Sequence, residues 1–200
     1  REPAAVTEPG AFDDERDDVG GGRLGRLVLG EERHDERAGG APDGADPEAV
    51  VVATGARWRK LGVPGEVEYI NRGVAYCPHC DGPLYRGKRV AVIGGGNTAG
   101  EEALYLSNIA SEVVLVHRRD KLRAEKILQD RLFDKEKNGN VTIHWDHTLE
   151  EILGDAAGVT GMRIKHVDSG DTQDVDLHGV FIAIGHKPNI DIFEGQLEMN

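Results

Sequence analysis

The two cysteines of the chain lie three residues apart, at Cys77 and Cys80, and Asp81 follows directly. Two thiols at this spacing can close a small disulfide ring, and a neighbouring imidazole or helix start favours the reactive thiolate form of one of them. A nearby carboxylate such as Asp81 could pass a proton to the departing thiolate. The pattern therefore favours a redox-active pair of cysteines.

Two other interpretations of the cysteine pair stay open. The pair could be half of a zinc site, although the chain has no second pair at this spacing and its other histidines show no ligand spacing relative to His79. The two cysteines could also be buried and inert. They are too few for a disulfide scaffold, and we expect no metal site.

A glycine-rich segment with the pattern G-x-G-x-x-A lies between a predicted strand and a predicted helix. The first glycine permits a tight turn, the second lets the backbone approach a pyrophosphate, and the small third residue allows close helix–strand contact. The phosphates would lie on free N–H groups at the positive end of the helix. A glycine-rich turn without a ligand is the alternative. The predicted phosphate-binding residues are Gly94, Gly95, Gly96, Asn97, Thr98 and Ala99.

Basic side chains follow the next predicted strand. About 20 residues beyond the glycines, an NAD site would place an acidic residue on the ribose 2′-hydroxyl. Arginine instead forms bidentate, charge-assisted bonds with a 2′-phosphate, so a basic segment here favours NADPH over NADH. Solvated cations are the alternative, but the dipole of the following helix opposes positive charge at its start. The predicted 2′-phosphate-binding residues are His117, Arg118, Arg119 and Arg123.

An α/β domain is needed to position these motifs. Apolar runs closed by glycine or polar residues predict buried strands, and apolar residues on one face predict helices. Alternation around the turn at 168–170 predicts a small antiparallel meander over residues 148–177. Strands alternating with helices indicate a Rossmann-like parallel sheet with right-handed crossovers. The predicted strands are 50–55, 88–93, 112–117, 141–145 and 180–184, and the helices are 97–110 and 123–137.

Composition excludes several classes of function. The 200 residues include 24 basic and 36 acidic side chains, for a formal net charge of −12, which argues against a nucleic-acid or anionic-membrane surface. No apolar run approaches the roughly 18 residues of a membrane span, and the start does not resemble a signal peptide. We therefore expect neither a nucleic-acid nor a membrane partner.

The first 45 residues differ from the rest of the chain in amino-acid composition. They contain no lysine and one aromatic residue, Phe12, and only residues 24–29 resemble a strand. Low hydrophobicity with clustered charge predicts disorder or weak structure, or else sequence that is not native. Because the chain begins with Arg1 and stops straight after an apolar–polar run, we interpret it as a fragment.

Several of these segments together resemble the low-molecular-weight bacterial thioredoxin reductase family, over residues 49–200. Residues 53–84 are more similar to a close relative, the flavoprotein subunit of alkyl hydroperoxide reductase, which usually lacks the arginine cluster and favours NADH. The segments that resemble the reductases are the Cys77–Gly82 motif, the glycine motif at 92–99, the basic motif at 117–119, and residues 101–110 and 184–189.

The resemblance implies a cytoplasmic, homodimeric flavoenzyme in which an NADPH domain interrupts an FAD domain. Residues 46–59 would end the first FAD-domain segment, residues 60–185 would form the NADPH domain, and residues 186–200 would return to the FAD domain. The resemblance adds Thr54, Gly55, Ile184 and Gly185 to the cofactor-binding residues. It departs in one respect: the glycines at 20–25 do not form an FAD fingerprint. We therefore expect the activity from the parent protein and not from this fragment.

The implied reaction passes electrons from NADPH through FAD to a Cys77–Cys80 disulfide, and from there to a thioredoxin-like protein. Cys80 would face the flavin, Cys77 would attack the disulfide of the partner, and Asp81 would be the acid–base residue. One domain would rotate against the other during the cycle. The alternatives are a flavoprotein subunit that feeds a peroxiredoxin, an inactive NADPH-binding fragment without FAD, and a zinc-binding structural module.

Overall fold

A parallel sheet of five strands lies at the centre of the structure, a computed structural model that describes residues 51–196. Its strands are β2 (Val74–Ala75), β3 (Arg89–Ile93), β4 (Glu112–Val116), β5 (Val141–His144) and β9 (Gly179–Ile182). Their order across the sheet is β2-β9-β3-β4-β5, and every pair is parallel. The predicted α/β fold is confirmed.

The central strands are apolar along almost their whole length because both faces of the sheet are covered. Four consecutive residues are buried in β3, four in β4 and four in β9. Within β3 and β4, Val90 lies opposite Val113 and Val92 opposite Leu115, all fully buried. The strands predicted at 88–93, 112–117, 141–145 and 180–184 are all present, each one or two residues short at one end, and β9 begins one residue earlier than predicted.

Two helices cover one face of the sheet, α2 (Asn97–Leu106) and α3 (Lys126–Asn138), and a short helix, α1 (Pro78–Asp81), contains the second cysteine. Helix α2 is shorter than predicted because the side chains of Ser107 and Asn108 both donate to the carbonyl of Leu104, in competition with helix continuation. Helix α3 starts later than predicted. Two 3-10 turns, Gly82–Tyr85 and Asp191–Phe193, complete the helical elements of the described residues.

A three-stranded antiparallel meander covers the other face, as predicted for residues 148–177. It consists of β6 (His147–Asp155), β7 (Gly158–His166) and β8 (Thr172–Asp176). Met162 and Ile164 of β7 are fully buried in the core that the meander shares with the sheet. Their neighbour Arg163 has its side chain on the opposite face, where it pairs with Glu151 and Asp174. This alternation fixes the register of the meander.

The strand predicted at 50–55 is wrong for the residues that the structure describes. Residues 51–55 are exposed and form no strand; the strand in this region is β1 (Ala56–Trp58), antiparallel to β10 (His186–Pro188) in a two-stranded ribbon. An apolar run becomes a buried strand only when neighbouring strands and a packing layer surround it. Residues 51–196 supply neither around this run.

The expectations for residues 1–45, including the weak strand at 24–29, lie outside the described residues. So do residue 50 of the predicted strand and the last four residues of the chain. Within residues 51–196, no helix combines the length and the apolar character that a membrane span requires.

Candidate functional site

The glycine turn joins β3 to α2 in a conformation that requires glycine. Gly94 has a φ of +155°, and a Cβ there would overlap the carbonyl oxygen of Ala183 and lie 2.8 Å from the Cβ of Ala99. Ala99 is itself fully buried against the turn. The first glycine and the small third residue of the motif are therefore fixed by packing.

Gly96 has the opposite environment. It caps α2, no side chain bonds to the first turn of the helix, and a Cβ on Gly96 would meet nothing within 4 Å. The free N–H groups of the first turn therefore adjoin open space, which is the arrangement that binds phosphate at a helix start. The residues at this turn fit a dinucleotide pyrophosphate.

The basic loop after β4 has two kinds of side chain. Arg118, Arg119 and Arg123 are exposed, and within residues 51–196 none of them forms an ion pair. His117 is buried, with 6% of its surface exposed, and its Nε2 donates to the carbonyl of Lys121 over 2.9 Å. The arginines are thus available to an anionic ligand, whereas the histidine belongs to the structure of the loop.

Both segments line one cleft of about 600 Å³ at the carboxyl ends of the parallel strands. This edge is where α/β sheets bind their ligands. Ile184 and Gly185 line the cleft as well. Eight further lining residues are absent from the predicted site residues, among them Arg59, Leu61 and His147. These three come from the linker after β1 and from the start of β6, and no motif in the sequence marks them.

Asn97 has a structural role that the glycine motif does not reveal. Its Oδ1 accepts from the backbone N–H of Glu125 at 2.7 Å, and its Nδ2 donates to the Glu125 carboxylate at 3.3 Å. Because Glu125 immediately precedes α3, this pair ties the start of α2 to the start of α3. Asn97 and Thr98 also line the cleft.

Thr54 and Gly55 do not line this cleft. The carbonyl of Thr54 accepts from the Asn189 side chain at 2.9 Å, and the carbonyl of Gly55 accepts from the Asn189 backbone N–H at 3.0 Å. Both residues therefore adjoin the β1–β10 ribbon, outside the glycine turn and the arginine loop. Their assignment to a flavin site stays a prediction.

Cys77 and Cys80 form a disulfide with a Cα–Cα distance of 5.3 Å. Cys77 caps α1, its Sγ accepts the Cys80 N–H over 3.3 Å, and Pro78 occupies the first helical position. Pro78 needs no hydrogen bond there, so this short sequence favours the turn that brings the sulfurs together. Cys77 is half-buried, Cys80 is exposed, and Asp81 ends α1 next to them.

His79, between the two cysteines, stacks on Tyr105 of α2 with ring centroids 4.3 Å apart. The helix that begins at the phosphate-binding turn thus also supports the disulfide. Within residues 51–196, no group of three or more histidine, cysteine, aspartate or glutamate side chains has the geometry of a metal site.

A buried carboxylate, Glu66, lies beneath the cleft wall and was not predicted. It is fully buried and accepts three hydrogen bonds, from the backbone N–H groups of Leu61 at 3.1 Å and Gly62 at 2.6 Å and from the Tyr76 hydroxyl at 2.8 Å. Burial, and next the bond to Glu66, raise the pKa of Tyr76 well above its ordinary value. Glu66 therefore connects the lining residue Leu61 to the residue before Cys77.

This combination of a dinucleotide-type cleft and a disulfide in one domain agrees with a comparison against protein families. The model of the pyridine nucleotide-disulphide oxidoreductases matches residues 28–200. The chain belongs to this family. The match covers the glycine turn, the arginine loop and both cysteines, so every element of the candidate site lies within it.

Individual relatives agree with the family. The chain is 59% identical over 153 residues to a thioredoxin reductase of Coxiella burnetii, an alignment that covers 76% of this chain and 48% of that protein. It is 49% identical over 151 residues to an alkyl hydroperoxide reductase component of Xanthomonas campestris pv. phaseoli, which covers 76% of this chain and 28% of that protein. These relatives confirm the resemblance to the thioredoxin reductase family.

A solved structure of the same family has the same fold. The Lactococcus lactis thioredoxin reductase in its FR conformation superposes with a TM-score of 0.67 at 41% identity, covering 73% of this chain and 47% of that chain. This chain spans about half the length of the curated thioredoxin reductases it matches.

Proposed function

We propose that this chain supplies the NADPH-binding and disulfide-bearing part of a flavin-dependent thioredoxin-disulfide reductase. The observation that carries the proposal is the disulfide Cys77–Cys80 in the same domain as a cleft with a glycine turn and unpaired arginines. When bound, NADPH supplies a hydride and FAD passes the electron pair to the disulfide.

The cleft residues bind and orient the dinucleotide. The N–H groups at Gly96, Asn97 and Thr98 receive the pyrophosphate, and Arg118, Arg119 and Arg123 receive the 2′-phosphate. Gly94, Gly95 and Ala99 shape the turn, His117 supports the loop, and Ile184 and Gly185 form the opposite wall. Support comes from the exposure of the three arginines, which line the same cleft as the glycine turn.

The disulfide residues carry the second half of the reaction. Two electrons and one proton convert the Cys77–Cys80 disulfide into a Cys77 thiolate and a Cys80 thiol, and Asp81 delivers the proton. The Cys77 thiolate then attacks the partner disulfide, and the first partner thiolate leaves and takes a proton from water. Cys80 returns its proton to Asp81 and attacks Cys77 Sγ, which re-forms the Cys77–Cys80 bond and releases the second partner thiolate, which is also protonated from water. The Cys80 N–H that points at the Cys77 sulfur supports Cys77 as the thiolate.

The remaining parts of the proposal concern the rest of the parent protein. Residues 46–59 and 186–200 would connect a domain at 60–185 to an FAD domain, with Thr54 and Gly55 at the flavin. The pairing of β1 with β10 supports two adjacent connecting segments. The parent protein would be a cytoplasmic homodimer that maintains cell redox homeostasis.

A groove at the turn that follows α1 suits a protein partner. It encloses about 400 Å³ and contains Leu84 and Tyr85, from the turn that follows α1. Leu84 is 70% exposed, and the charged lining residues are two cations, Arg72 and Lys88, and one acidic residue, Asp155. An exposed apolar side chain flanked by cations within a few residues of the disulfide favours docking of a folded partner with an acidic rim.

The test uses the parent protein with its flavin domain and measures reduction of thioredoxin by NADPH and by NADH. We expect NADPH to be preferred, and Arg118→Ala with Arg119→Ala to remove most of that preference by weakening NADPH roughly 10- to 100-fold, since two charge-assisted contacts are lost. Arg131→Ala, an exposed arginine of α3, is the matched control. Cys77→Ser and Cys80→Ser should each abolish thioredoxin reduction and leave NADPH binding intact.

A flavoprotein that feeds a peroxiredoxin is the second candidate, supported by the identity to the alkyl hydroperoxide reductase component. It predicts a preference for NADH and turnover with a peroxiredoxin system in place of thioredoxin. Either result would displace our proposal. A protein that binds NADPH but never reduces a disulfide would instead favour an inactive NADPH-binding module.

A further inference from the structure

The residue between the motif glycines, Gly95, is enclosed on two sides. A Cβ on Gly95 would overlap the imidazole ring of His117, so the ring packs directly against the glycine backbone. On the other side, the Gly95 carbonyl accepts the backbone N–H of Arg123 over 2.7 Å. Gly95 therefore contacts both the first and the last residue of the basic loop, the ring of His117 and the backbone N–H of Arg123.

His117 also fixes the shape of that loop. A carbonyl can only accept, so the 2.9 Å bond to the Lys121 carbonyl requires the ring hydrogen on Nε2. The backbone of His117 donates to the carbonyl of His144 and accepts from the N–H of His147, at 2.9 and 3.1 Å. The backbone of His117 is thus held by β5 and β6, while its ring contacts the glycine turn and bonds to the loop.

We propose that His117 is a positioning residue that sets the separation between the pyrophosphate site and the 2′-phosphate site. This inference rests on the proposed use of NADPH. One buried ring touches the glycine turn at Gly95 and closes the loop that presents Arg118 and Arg119. It explains why the second glycine of the run, which the G-x-G-x-x-A pattern leaves free, is a glycine in this chain.

The physical gain is preorganisation. The pyrophosphate and the 2′-phosphate of NADPH are attached to the same ribose. The glycine turn can bind the first and the arginines the second at full strength only when the loop stands at the matching distance from the turn. A loop without its anchor must be ordered by the ligand, and this ordering reduces affinity. The loss of affinity should be confined to ligands with a 2′-phosphate, because ligands without this group do not bind the arginines of the loop.

The experiment measures binding of 2′-phospho-ADP-ribose and of ADP-ribose to this chain by calorimetry, with no flavin required. His117→Phe keeps a ring against Gly95 but cannot donate to Lys121. We expect 2′-phospho-ADP-ribose to bind roughly five- to tenfold more weakly, the value of one hydrogen bond, and ADP-ribose to bind as before. An equal loss for both ligands would overturn the inference. Equal affinity of the unaltered chain for both ligands would instead refute the proposed NADPH function.

A double-mutant cycle tests the contact itself without relying on the phenylalanine variant. Gly95→Ala should weaken 2′-phospho-ADP-ribose binding in the native background, because the new methyl group displaces the His117 ring. In a His117→Ala background the ring that the methyl group would overlap is gone, so the same change should cost less. Losses that simply add in Gly95→Ala/His117→Ala would contradict a direct coupling of the two residues.

Discussion

Glu102 lies in the middle of α2, four residues after Thr98 of the cleft and three before Tyr105, whose ring stacks on His79. It is only 6% exposed, and within the described residues its Oε2 has no hydrogen-bond partner. Burial, and to a smaller extent the charge of Glu101, raise the pKa of Glu102 to about 7. A single buried carboxyl thus makes the stability of the helix beneath both sites dependent on pH.

This carboxyl should destabilise the protein as the pH rises. Its pKa is about 7 in the fold against 4.5 in the unfolded chain, so the native state holds the proton more tightly. The stabilisation is complete below pH 4.5 and is lost by about pH 7, a loss of at most about 3 kcal/mol. Glu102→Gln removes the ionisation, so relative to the native protein it should gain about 2–3 kcal/mol between pH 5 and pH 8.

Urea unfolding at the two pH values measures this difference. Glu136→Gln, which alters an exposed carboxylate of α3, is the control and should follow the native protein at both. A stability difference between Glu102→Gln and the native protein that stays constant with pH would show that the Glu102 carboxyl does not titrate in this range.

At the scale of elements, the cofactor cleft and the disulfide are joined by parts that carry no motif. Glu66 connects the linker after β1 to Tyr76, which leads into Cys77, and Trp58 of β1 stacks on Tyr76 with ring centroids 6.1 Å apart. The β1–β10 ribbon, the cleft residue Leu61 and the segment that leads into α1 are therefore all connected to Glu66, directly or through Tyr76. Its three partners are all donors, which suits a carboxylate and no other side chain of this size.

Glu66→Gln should destabilise the protein by about 1–3 kcal/mol, because its amide N–H group must face at least one of the backbone N–H donors of Leu61 and Gly62. Tyr76→Phe removes one donor and leaves both backbone bonds, so it should cost only about 1 kcal/mol. The midpoints of urea unfolding measure which of the two variants loses more stability. The exposed Glu68→Gln is the control, and a Glu66→Gln variant as stable as that control would refute the network.

Across the whole molecule, the two candidate binding surfaces lie at opposite ends of the parallel strands. The cleft follows the last residues of β3, β4 and β9, whereas the groove around Leu84 includes Gly73, Lys88 and His178, which directly precede β2, β3 and β9. Since the sheet separates them, a change at one surface leaves the other in place. Cofactor and partner binding should therefore respond to different substitutions.

Leu84→Asp should raise the KM for the disulfide partner at least about tenfold, because burial of a leucine contributes about 1.5–3 kcal/mol. The dissociation constant for NADPH should stay unchanged. Steady-state reduction of the partner by the parent protein, together with NADPH titration, separates the two effects. Val67→Asp alters a side chain of similar exposure outside the groove and serves as the control. Equal KM values for the two variants would place the partner elsewhere.

The sequence by itself determined the features that depend on local conformation. The apolar runs predicted the central strands, the spacing of Cys77 and Cys80 favoured a redox pair, and the glycine and arginine motifs singled out two segments that line one cleft. In each case a few adjacent residues restrict the backbone or supply the chemistry, so the information is contained within one segment of the chain.

The tertiary structure alone decided which distant segments meet. It brought Arg59 and His147 to the cleft, buried Glu66 under its wall, and left residues 51–55 exposed in spite of their apolar character. It also gave Gly95 its partner, since the ring that excludes a side chain there belongs to His117, in the loop after β4. Such contacts arise from the crossing of chain segments around the sheet, and periodicity along one segment contains no record of what will pack against it.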